Sequence, residues 1–225
     1  MQNDIQLVML GGESGDRVSN FIRNNLPNGD PLFAALCERM KPEQYEGSQF
    51  ECTMDFLYSV CVNPTSSTGI EPYSFAMMQN GRYLAISLGT RETYPKDYDF
   101  RDMAGIRGRH ASSYFHLLNK AEEAIGEKTE GKLNGKRIHN CRLWLVDEEY
   151  RNKGIGSFLL TNTIQLAHKD SCDAVLFSAT GASAKRVAQK LKLTAQLTIA
   201  PSDEDEMFQA VNDDLHCYLV LFKPL

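Results

Sequence analysis

The sequence predicts one α/β domain over residues 1–225, in which a β-sheet is flanked by helices. Strand-like and helix-like segments alternate along the chain, in the order β-α-α-β-β-α-β-α-β-α-β-β. The dipeptide Asn80-Gly81 joins two β-rich segments, which is typical of a β-hairpin. The apolar run 174–177 has the composition of a strand that is covered on both faces.

The N-terminal part of the chain is predicted to contain a strand and two helices. Residues 5–10 form a short apolar run typical of a strand, and a glycine-rich loop follows it. Apolar residues then recur at helical spacing, which predicts an amphipathic helix over about 14–26. We expect a second helix over 31–40. The segment 41–71 is predicted to hold a helix at 54–61 and a polar loop at 63–69.

The rest of the chain alternates between strands and helices. The hairpin strands are predicted at 73–79 and 82–90, because Asn-Gly tolerates the positive φ values of a type I′ turn. A charged loop is expected over 91–109. The remaining predictions are helices at 111–127, 155–169 and 183–193, strands at 138–146, 174–177, 196–199 and 216–222, and an acidic loop at 203–206.

Composition excludes several classes of partner. The net charge of −5 and the isoelectric point near 5.6 argue against a general nucleic-acid or anionic-membrane surface. No apolar run approaches the length of about 20 residues that spans a bilayer. The N-terminal residues carry no basic segment of a signal peptide, so we expect a cytoplasmic protein with reduced cysteines. The spacing of histidines and cysteines predicts no metal site.

Residues 151–156, Arg-Asn-Lys-Gly-Ile-Gly, lie between a predicted strand and a predicted helix. The first N–H groups of a helix lack intrahelical acceptors, and the helix dipole adds positive potential there. Glycine allows backbone to approach a bulky anion, and Arg151 and Lys153 supply charge. This combination predicts a pyrophosphate site. From these residues alone, an ordinary strand-to-helix turn with surface cations explains the pattern equally well.

Two common nucleotide motifs are excluded at this turn. A P-loop requires Gly-Lys followed by Ser or Thr, and Gly154-Ile-Gly-Ser-Phe158 does not supply it. A dinucleotide-binding fingerprint requires a third glycine at position 159, which is Leu159.

The turn resembles the acetyl-CoA motif of the GNAT acetyltransferase superfamily, in which an apolar strand is followed by Arg/Gln-x-x-Gly-x-Gly/Ala. The hairpin and the later helices and strands also follow the order of that superfamily. The resemblance implies the GNAT fold, a mixed, mostly antiparallel, twisted sheet of about seven strands flanked by helices. It further implies that the sheet splays apart at its fourth and fifth strands.

Within the superfamily, the chain is similar to the insect-type arylalkylamine N-acetyltransferases. The similarity lies in residues 21–26 followed by Asp30-Pro-Leu32, and in Ala179-Thr-Gly181 before a helix. It implies transfer of acetyl from acetyl-CoA to a small primary amine of the dopamine, tyramine or serotonin type, by direct attack in a ternary complex. The alternatives are a polyamine or other aliphatic amine as acceptor, or a non-catalytic acyl-CoA-binding protein on the same fold.

The resemblance also implies a set of cofactor-binding residues. The backbone N–H groups of Leu145 and Val146 would polarise the thioester carbonyl of acetyl-CoA. The pyrophosphate would be held by Arg151, Asn152, Lys153, Gly154, Ile155 and Gly156.

Two further residues are implied as catalytic. Asp30 corresponds to the acidic general base, although an aspartate in Asn28-Gly-Asp-Pro31 also suits a turn or a helix cap. Ser183 corresponds to the proton donor, shifted by one residue because strict register places Ala184 there; a helix N-cap is the other interpretation. His139 is predicted to be structural, since it is out of phase with the catalytic histidines of the vertebrate arylalkylamine enzymes.

Overall fold

A computed structural model describes residues 5–39, 62, 71–94, 109–204, 208–209, 211 and 214–222. The predicted helix at 54–61 and the predicted loop at 63–69 lie outside these residues.

The described elements follow the predicted order closely. The strands are β1 (Gln6–Met9), β2 (Glu71–Pro72), β3 (Phe75–Gln79), β4 (Arg82–Thr93), β5 (Arg137–Val146), β6 (Ala174–Ala179), β7 (Ala195–Ile199) and β8 (Leu215–Leu221). The α-helices are α1 (Gly15–Asn25), α2 (Pro31–Arg39), α3 (Arg109–Lys128), α4 (Ile155–Lys169), α5 (Gly181–Lys190) and α6 (Pro201–Glu204). Short 3₁₀ turns at Gly12–Ser14 and Glu148–Tyr150 precede α1 and follow β5.

The strands form one mixed sheet in the order β1-β3-β4-β5-β6-β8-β7, with β2 paired to β4. Every described pairing is antiparallel except that of β5 with β6, which is parallel. The sheet has eight strands because the two-residue β2 adds to the seven expected. The predicted β3–β4 hairpin is confirmed, with φ of 52° at Asn80 and 77° at Gly81.

The sheet opens between β5 and β6, as the resemblance implied, since these are the fourth and fifth of the seven predicted strands. Pairing of the two strands stops at Cys141 and Phe177, although β5 continues to Val146. At the same point the register of β5 with β4 shifts, so that Arg142 is an extra residue in a β-bulge. Among the described strands, none pairs with the part of β5 beyond the bulge on the β6 side.

The two faces of the sheet pack against different helices. Apolar residues of α1, α2 and α3 bury one face together with Leu143 and Leu145 of β5. Apolar residues of α4 and α5 bury the other face together with Trp144. Because side chains alternate along a strand, β5 contributes to both cores.

Three predicted boundaries are wrong. The strand expected at 82–90 continues as β4 to Thr93, so residues 91–93 of the expected charged loop are strand. The helix expected at 183–193 begins at Gly181, because Thr180 is extended and Gly181, at φ 75°, turns the chain directly from β6 into α5. Ser183 is therefore two residues inside the helix and is not its N-cap. The acidic loop expected at 203–206 is partly helical, since α6 includes Asp203 and Glu204.

Cys141, Cys172 and Cys217 are free and buried, as expected for reduced thiols. Burial raises the pKa of Cys141 and of Cys217 to about 11, so both act as small apolar residues. The side chains of the other three cysteines lie outside the described part. Among the helices of the described residues, none has the length and apolarity to cross a bilayer.

His139 is fully buried in the core, consistent with a structural role. Its Nδ1 lies 3.2 Å from the Thr90 carbonyl oxygen, so the neutral ring donates its proton there. The ring also packs edge-to-face on Tyr73, with 5.0 Å between ring centroids. Burial lowers the pKa of His139 to about 4 from its ordinary value of 6.5.

This burial predicts an acid-labile core. Between pH 6.5 and 4 the unfolded chain binds a proton at position 139 that the native protein does not bind, so the stability falls as the pH falls. The loss amounts to about 3 kcal/mol at most. In urea titrations across this range, His139→Asn should flatten the pH dependence, because Asn does not titrate. Its side-chain amide can still donate to the Thr90 carbonyl oxygen. The matched control is His168→Asn at exposed His168 of α4, which should keep the wild-type slope. Parallel curves for wild type and His139→Asn would contradict the prediction.

Candidate active site

A cavity of about 370 Å³ passes through the gap between β5 and β6. Its walls come from both faces of the sheet. On the α1–α3 face they include Asp30, Leu32, Tyr114, Leu118, Leu143 and Leu215. On the α4–α5 face they include Trp144, Gly154, Gly156, Ser157, Ala184 and Val187. The cavity thus connects the glycine-containing turn before α4 with Asp30 and has the size of a small-ligand site.

The turn before α4 exposes backbone N–H groups. Asn152 and Gly154 have positive φ values of 61° and 84°, which allow the chain to turn sharply into the helix. The first amide that the helix itself bonds is that of Phe158, which donates to Gly154 O at 3.0 Å. The N–H groups of residues 155–157 precede it and therefore have no acceptor within the helix. This end of α4 is suited to an anion.

At the end of β5, Val146 is the residue that faces the gap. Asp147 N donates to Leu84 O at 2.9 Å, and hydrogen-bonded pairs alternate along antiparallel strands. Leu145 therefore exchanges backbone hydrogen bonds with Ile86, whereas the backbone groups of Val146 point toward the open edge. Of the two amides predicted to polarise a thioester, the geometry favours that of Val146.

Arg151 makes three hydrogen bonds to backbone carbonyls. Its Nε donates to Val146 O at 3.2 Å, Nη1 to Asn28 O at 2.9 Å and Nη2 to Asn25 O at 3.2 Å. The side chain lines the cavity, but its donors are directed at β5 and at the loop after α1. The predicted role of Arg151 at a pyrophosphate stays a prediction.

The other predicted turn residues differ in position. Asn152, Gly154 and Gly156 line the cavity, but the cavity lining does not include Lys153 or Ile155. The Lys153 ammonium lies over the Tyr150 ring, at 5.1 Å from its centroid. Lys153 thus adds charge near the turn without forming the cavity wall.

The two glycines tolerate a side chain differently. A Cβ at Gly154 would meet no atom within 4 Å, but its φ of 84° strains any L-residue. A Cβ at Gly156 would lie 3.5 Å from Val146 Cγ2 and 3.7 Å from Trp144 Cζ3, which are ordinary contacts inside the cavity. A substitution at position 156 therefore tests whether a ligand occupies this part of the cavity, without straining the backbone.

Asp30 caps a helix and also lines the cavity. Its Oδ1 accepts the N–H groups of Leu32 at 2.9 Å and Phe33 at 3.2 Å, so it is the N-cap of α2. Its Oδ2 accepts a hydrogen bond from the Tyr114 hydroxyl at 3.0 Å, and Asp30 is part of the cavity wall. The Thr180 hydroxyl also donates to this carboxylate.

Burial raises the pKa of Asp30 above its ordinary value, although the hydrogen bonds it accepts oppose the shift. Burial and the neighbouring carboxylate raise the pKa of Tyr114 well above 10, so its hydroxyl remains a donor to Asp30. A carboxyl group with a raised pKa in a cavity is typical of a general base.

Ser183 lines the cavity but is exposed on the first turn of α5, 3.5 Å from Arg186 Nη2. Thr180, which sequence reasoning missed, lies closer to the predicted base because its hydroxyl contacts Asp30. Residues 179–181 were noted only for their resemblance, and the contact of Thr180 was missed because it joins the residue before α5 to the residue before α2.

Two further missed residues, Arg186 and Lys190, line the cavity one helical turn apart on α5. Both are exposed and add positive charge beside the turn before α4. Their spacing of four on one helix face was a sequence signal that could have identified them.

A buried charge cluster also lies beside the cavity. Arg142 Nη2 donates to both carboxylate oxygens of Glu92 at 3.1 Å, and Nη1 donates to Glu122. The side chains of Arg142 and Glu92 are each 7% exposed and that of Glu122 is 10% exposed. Asn140 and Thr90 also donate to Glu92, at 3.1 and 3.2 Å. The cluster joins β4, the bulge of β5 and α3.

The described residues contain no cluster of three or more His, Cys, Asp or Glu side chains that could hold a metal ion.

Comparisons with known proteins agree with this architecture. Residues 83–192 match the model of the Acetyltransferase (GNAT) family. A search of curated protein sequences finds no match. The fold is that of GNAT structures. Arylalkylamine N-acetyltransferase 2 from Aedes aegypti superposes with a TM-score of 0.74 at 19% identity, over 98% of this chain and 100% of that one.

Two other solved structures show how varied the proteins on this fold are. The Drosophila melanogaster polyamine N-acetyltransferase, which forms N-acetylagmatine, has a TM-score of 0.69 at 14% identity, over 97% of this chain and 100% of its own. The C-terminal condensation domain of Ebony in complex with β-alanyl-dopamine has a TM-score of 0.70 at 15% identity, over 98% and 100%. At these identities the similarity establishes the fold alone.

Proposed function

We propose that the chain, whose residues 83–192 match the Acetyltransferase (GNAT) family, transfers acetyl from acetyl-CoA to a small primary amine. The observation that supports the proposal most strongly is the cavity itself. It leads from the exposed amides before α4, through the gap between β5 and β6, to the carboxylate of Asp30. A donor on one face of the sheet and an acceptor on the other would meet at the end of β5.

The donor would occupy the α4–α5 side of this cavity. The amides of residues 155–157 would bind its pyrophosphate, helped by the charges of Arg151 and Lys153. Arg186 and Lys190 are placed to contact a further phosphate of CoA. The N–H of Val146 would then polarise the thioester carbonyl at the open edge of β5.

The acceptor would enter on the α1–α3 side. An alkylamine with a pKa near that of lysine, about 10.4, is almost fully protonated at pH 7, and freeing its lone pair costs about 4–5 kcal/mol. Asp30 would accept this proton, directly or through water. The amine nitrogen then bonds to the thioester carbon and the carbon–sulfur bond breaks. The proton that the nitrogen loses would pass through the Ser183 hydroxyl to the thiolate.

The walls of the acceptor side favour an arylalkylamine over a polyamine. They include the leucines at positions 32, 118, 143 and 215 and the ring of Tyr114. Among the described lining residues, Asp30 is the one carboxylate. A second cation of a polyamine would thus enter an apolar region without a lining acidic partner, which is unfavourable.

The test is release of CoA thiol from acetyl-CoA with a panel of amines. We expect turnover with dopamine, tyramine and serotonin, and at least about tenfold lower kcat/KM with putrescine and agmatine. A tenfold difference corresponds to about 1.4 kcal/mol. Higher kcat/KM for putrescine or agmatine would establish the polyamine alternative. Tight CoA binding without amine-dependent thiol release would establish a non-catalytic acyl-CoA-binding protein.

Gly156→Val tests the assignment of the donor site. Its extra methyl groups would occupy the cavity next to Trp144, so CoA affinity should fall by about 100-fold or more, while thermal unfolding without ligand changes little. Unchanged CoA affinity in the folded variant would refute the assignment of the donor site.

A further inference from the structure

We propose that Arg151 is a positioning residue that fastens the loop carrying Asp30 to the turn before α4. The α1–α2 loop comprises residues 26–30, and the β5–α4 turn comprises residues 147–154. The inference rests on the function proposed above, in which the loop carries the base for the acceptor and the turn binds the donor phosphates.

The hydrogen bonds of Arg151 carry the inference. Two of its nitrogen atoms donate to loop-side carbonyls, Nη1 to Asn28 O and Nη2 to Asn25 O, while Nε donates to Val146 O. The planar guanidinium thereby joins the end of α1, the loop and the end of β5 in one fixed geometry. Hydrogen bonds from a charged donor are among the stronger ones in proteins.

The Asn25 side chain forms a second connection between α1 and the β5–α4 turn. The side-chain oxygen of Asn25 accepts the N–H of Glu148 at 3.1 Å, and its amide donates to Phe21 O at 3.0 Å. The contact is also sterically close. A Cβ at Gly29 would lie 2.7 Å from Asn25 O and 3.3 Å from Arg151 Nη2. The loop therefore rests directly on the guanidinium, and only glycine fits at position 29.

Asp30 follows this attachment immediately. Its N–H donates to Leu26 O at 3.1 Å, and its side chain caps α2. The position of the carboxylate is thus set by a loop whose support is Arg151. Because the turn binds the donor phosphates in the proposed function, donor binding and the order of the Asp30 loop should be coupled, and the coupling should be reciprocal.

The rival role for Arg151 is that of a direct phosphate ligand, since its side chain also lines the cavity. The variant Arg151→Lys separates the two roles. Lysine retains the positive charge but presents a compact ammonium that cannot reach three carbonyls as the planar guanidinium does. A phosphate ligand would tolerate the change better than a support of the loop.

Hydrogen exchange measured by mass spectrometry on a peptide covering residues 26–33, together with calorimetric titration of CoA, tests the inference. In Arg151→Lys, exchange in this peptide should accelerate by about tenfold or more without ligand, and the calorimetric affinity sets the CoA concentration that saturates each protein. CoA should slow exchange of the peptide in the wild type and have little effect on it in the variant.

The control is Arg17→Lys on α1, whose guanidinium bonds to Gly81 O outside the cavity and should leave the peptide's exchange unchanged. If Arg151→Lys does not fold, the wild type still tests the inference, because saturating CoA should slow exchange of the peptide and unchanged exchange would overturn it. Unchanged exchange of the peptide in folded Arg151→Lys, at any CoA affinity, would show that Arg151 does not support the loop and would overturn the inference. Neither readout requires acetyl transfer, so absence of turnover would challenge the proposed function and leave this result standing.

Discussion

Replacing Asp30 with Asn should lower kcat by about 10²–10⁴-fold, the usual contribution of a general base, while CoA affinity stays within about threefold. Asn is nearly isosteric with Asp and is equally effective as an N-cap, so the bonds from Leu32 N and Phe33 N are preserved. The variant therefore removes the base and keeps the cap. Thiol-release kinetics, with thermal unfolding as a check of the fold, provide the measurement.

Tyr114→Phe supplies a matched test of the same group. The Tyr114 hydroxyl lowers the pKa of Asp30, so its removal should raise that pKa further. Since the base must be ionised, activity is lost as the pH falls through the pKa, and the acidic limb of kcat/KM should move to higher pH in Tyr114→Phe. Wild-type turnover in Asp30→Asn, or an unmoved limb in Tyr114→Phe, would exclude Asp30 as the base.

Replacing Arg142 with Met should lower the free energy of unfolding by about 3–5 kcal/mol, because two buried carboxylates then lose their ion pair with its guanidinium. The affected groups are Glu92 and Glu122. Loss of the cation should raise their pKa values in the native protein, so the destabilisation should be larger at pH 8 than at pH 5. Urea unfolding at the two pH values is the measurement.

Two controls sharpen this prediction. Arg137→Met, on the same strand, breaks the more exposed pair with Glu71 and should cost about 1 kcal/mol or less. Adding Glu92→Gln and Glu122→Gln to Arg142→Met should recover much of the lost stability, because the two side chains that lost the ion pair are then uncharged. If Arg142→Met cost no more than Arg137→Met, the cluster would have no special part in stability.

Much of the fold followed from local patterns in the sequence. The helix over 155–169 and the hairpin around Asn80-Gly81 were predicted at or near their observed bounds, since periodicity and turn chemistry act within a few residues. The start of α5 was missed by two residues because Gly181 was interpreted as part of a loop, whereas its positive φ begins the helix.

The candidate site was predictable in part. Asp30, Ser183 and the glycines of the turn all line one cavity, while their predicted roles stay predictions. Thr180 and the cluster around Arg142 were not predicted, because their partners lie on other elements and leave no spacing pattern. For example, Arg142 and Glu92 are separated by 50 positions along the chain.

By itself the sequence determined the alternation of strands and helices, the hairpin turn and the glycine-containing turn before α4, because each depends on backbone preferences of neighbouring residues. The tertiary structure alone decided that Val146 faces the gap and that Asp30 meets Tyr114 and Thr180. It also decided that Arg151 bonds to carbonyls 123 and 126 positions away. These choices depend on which segments the sheet and its helices bring together, and local propensity carries no information about such contacts.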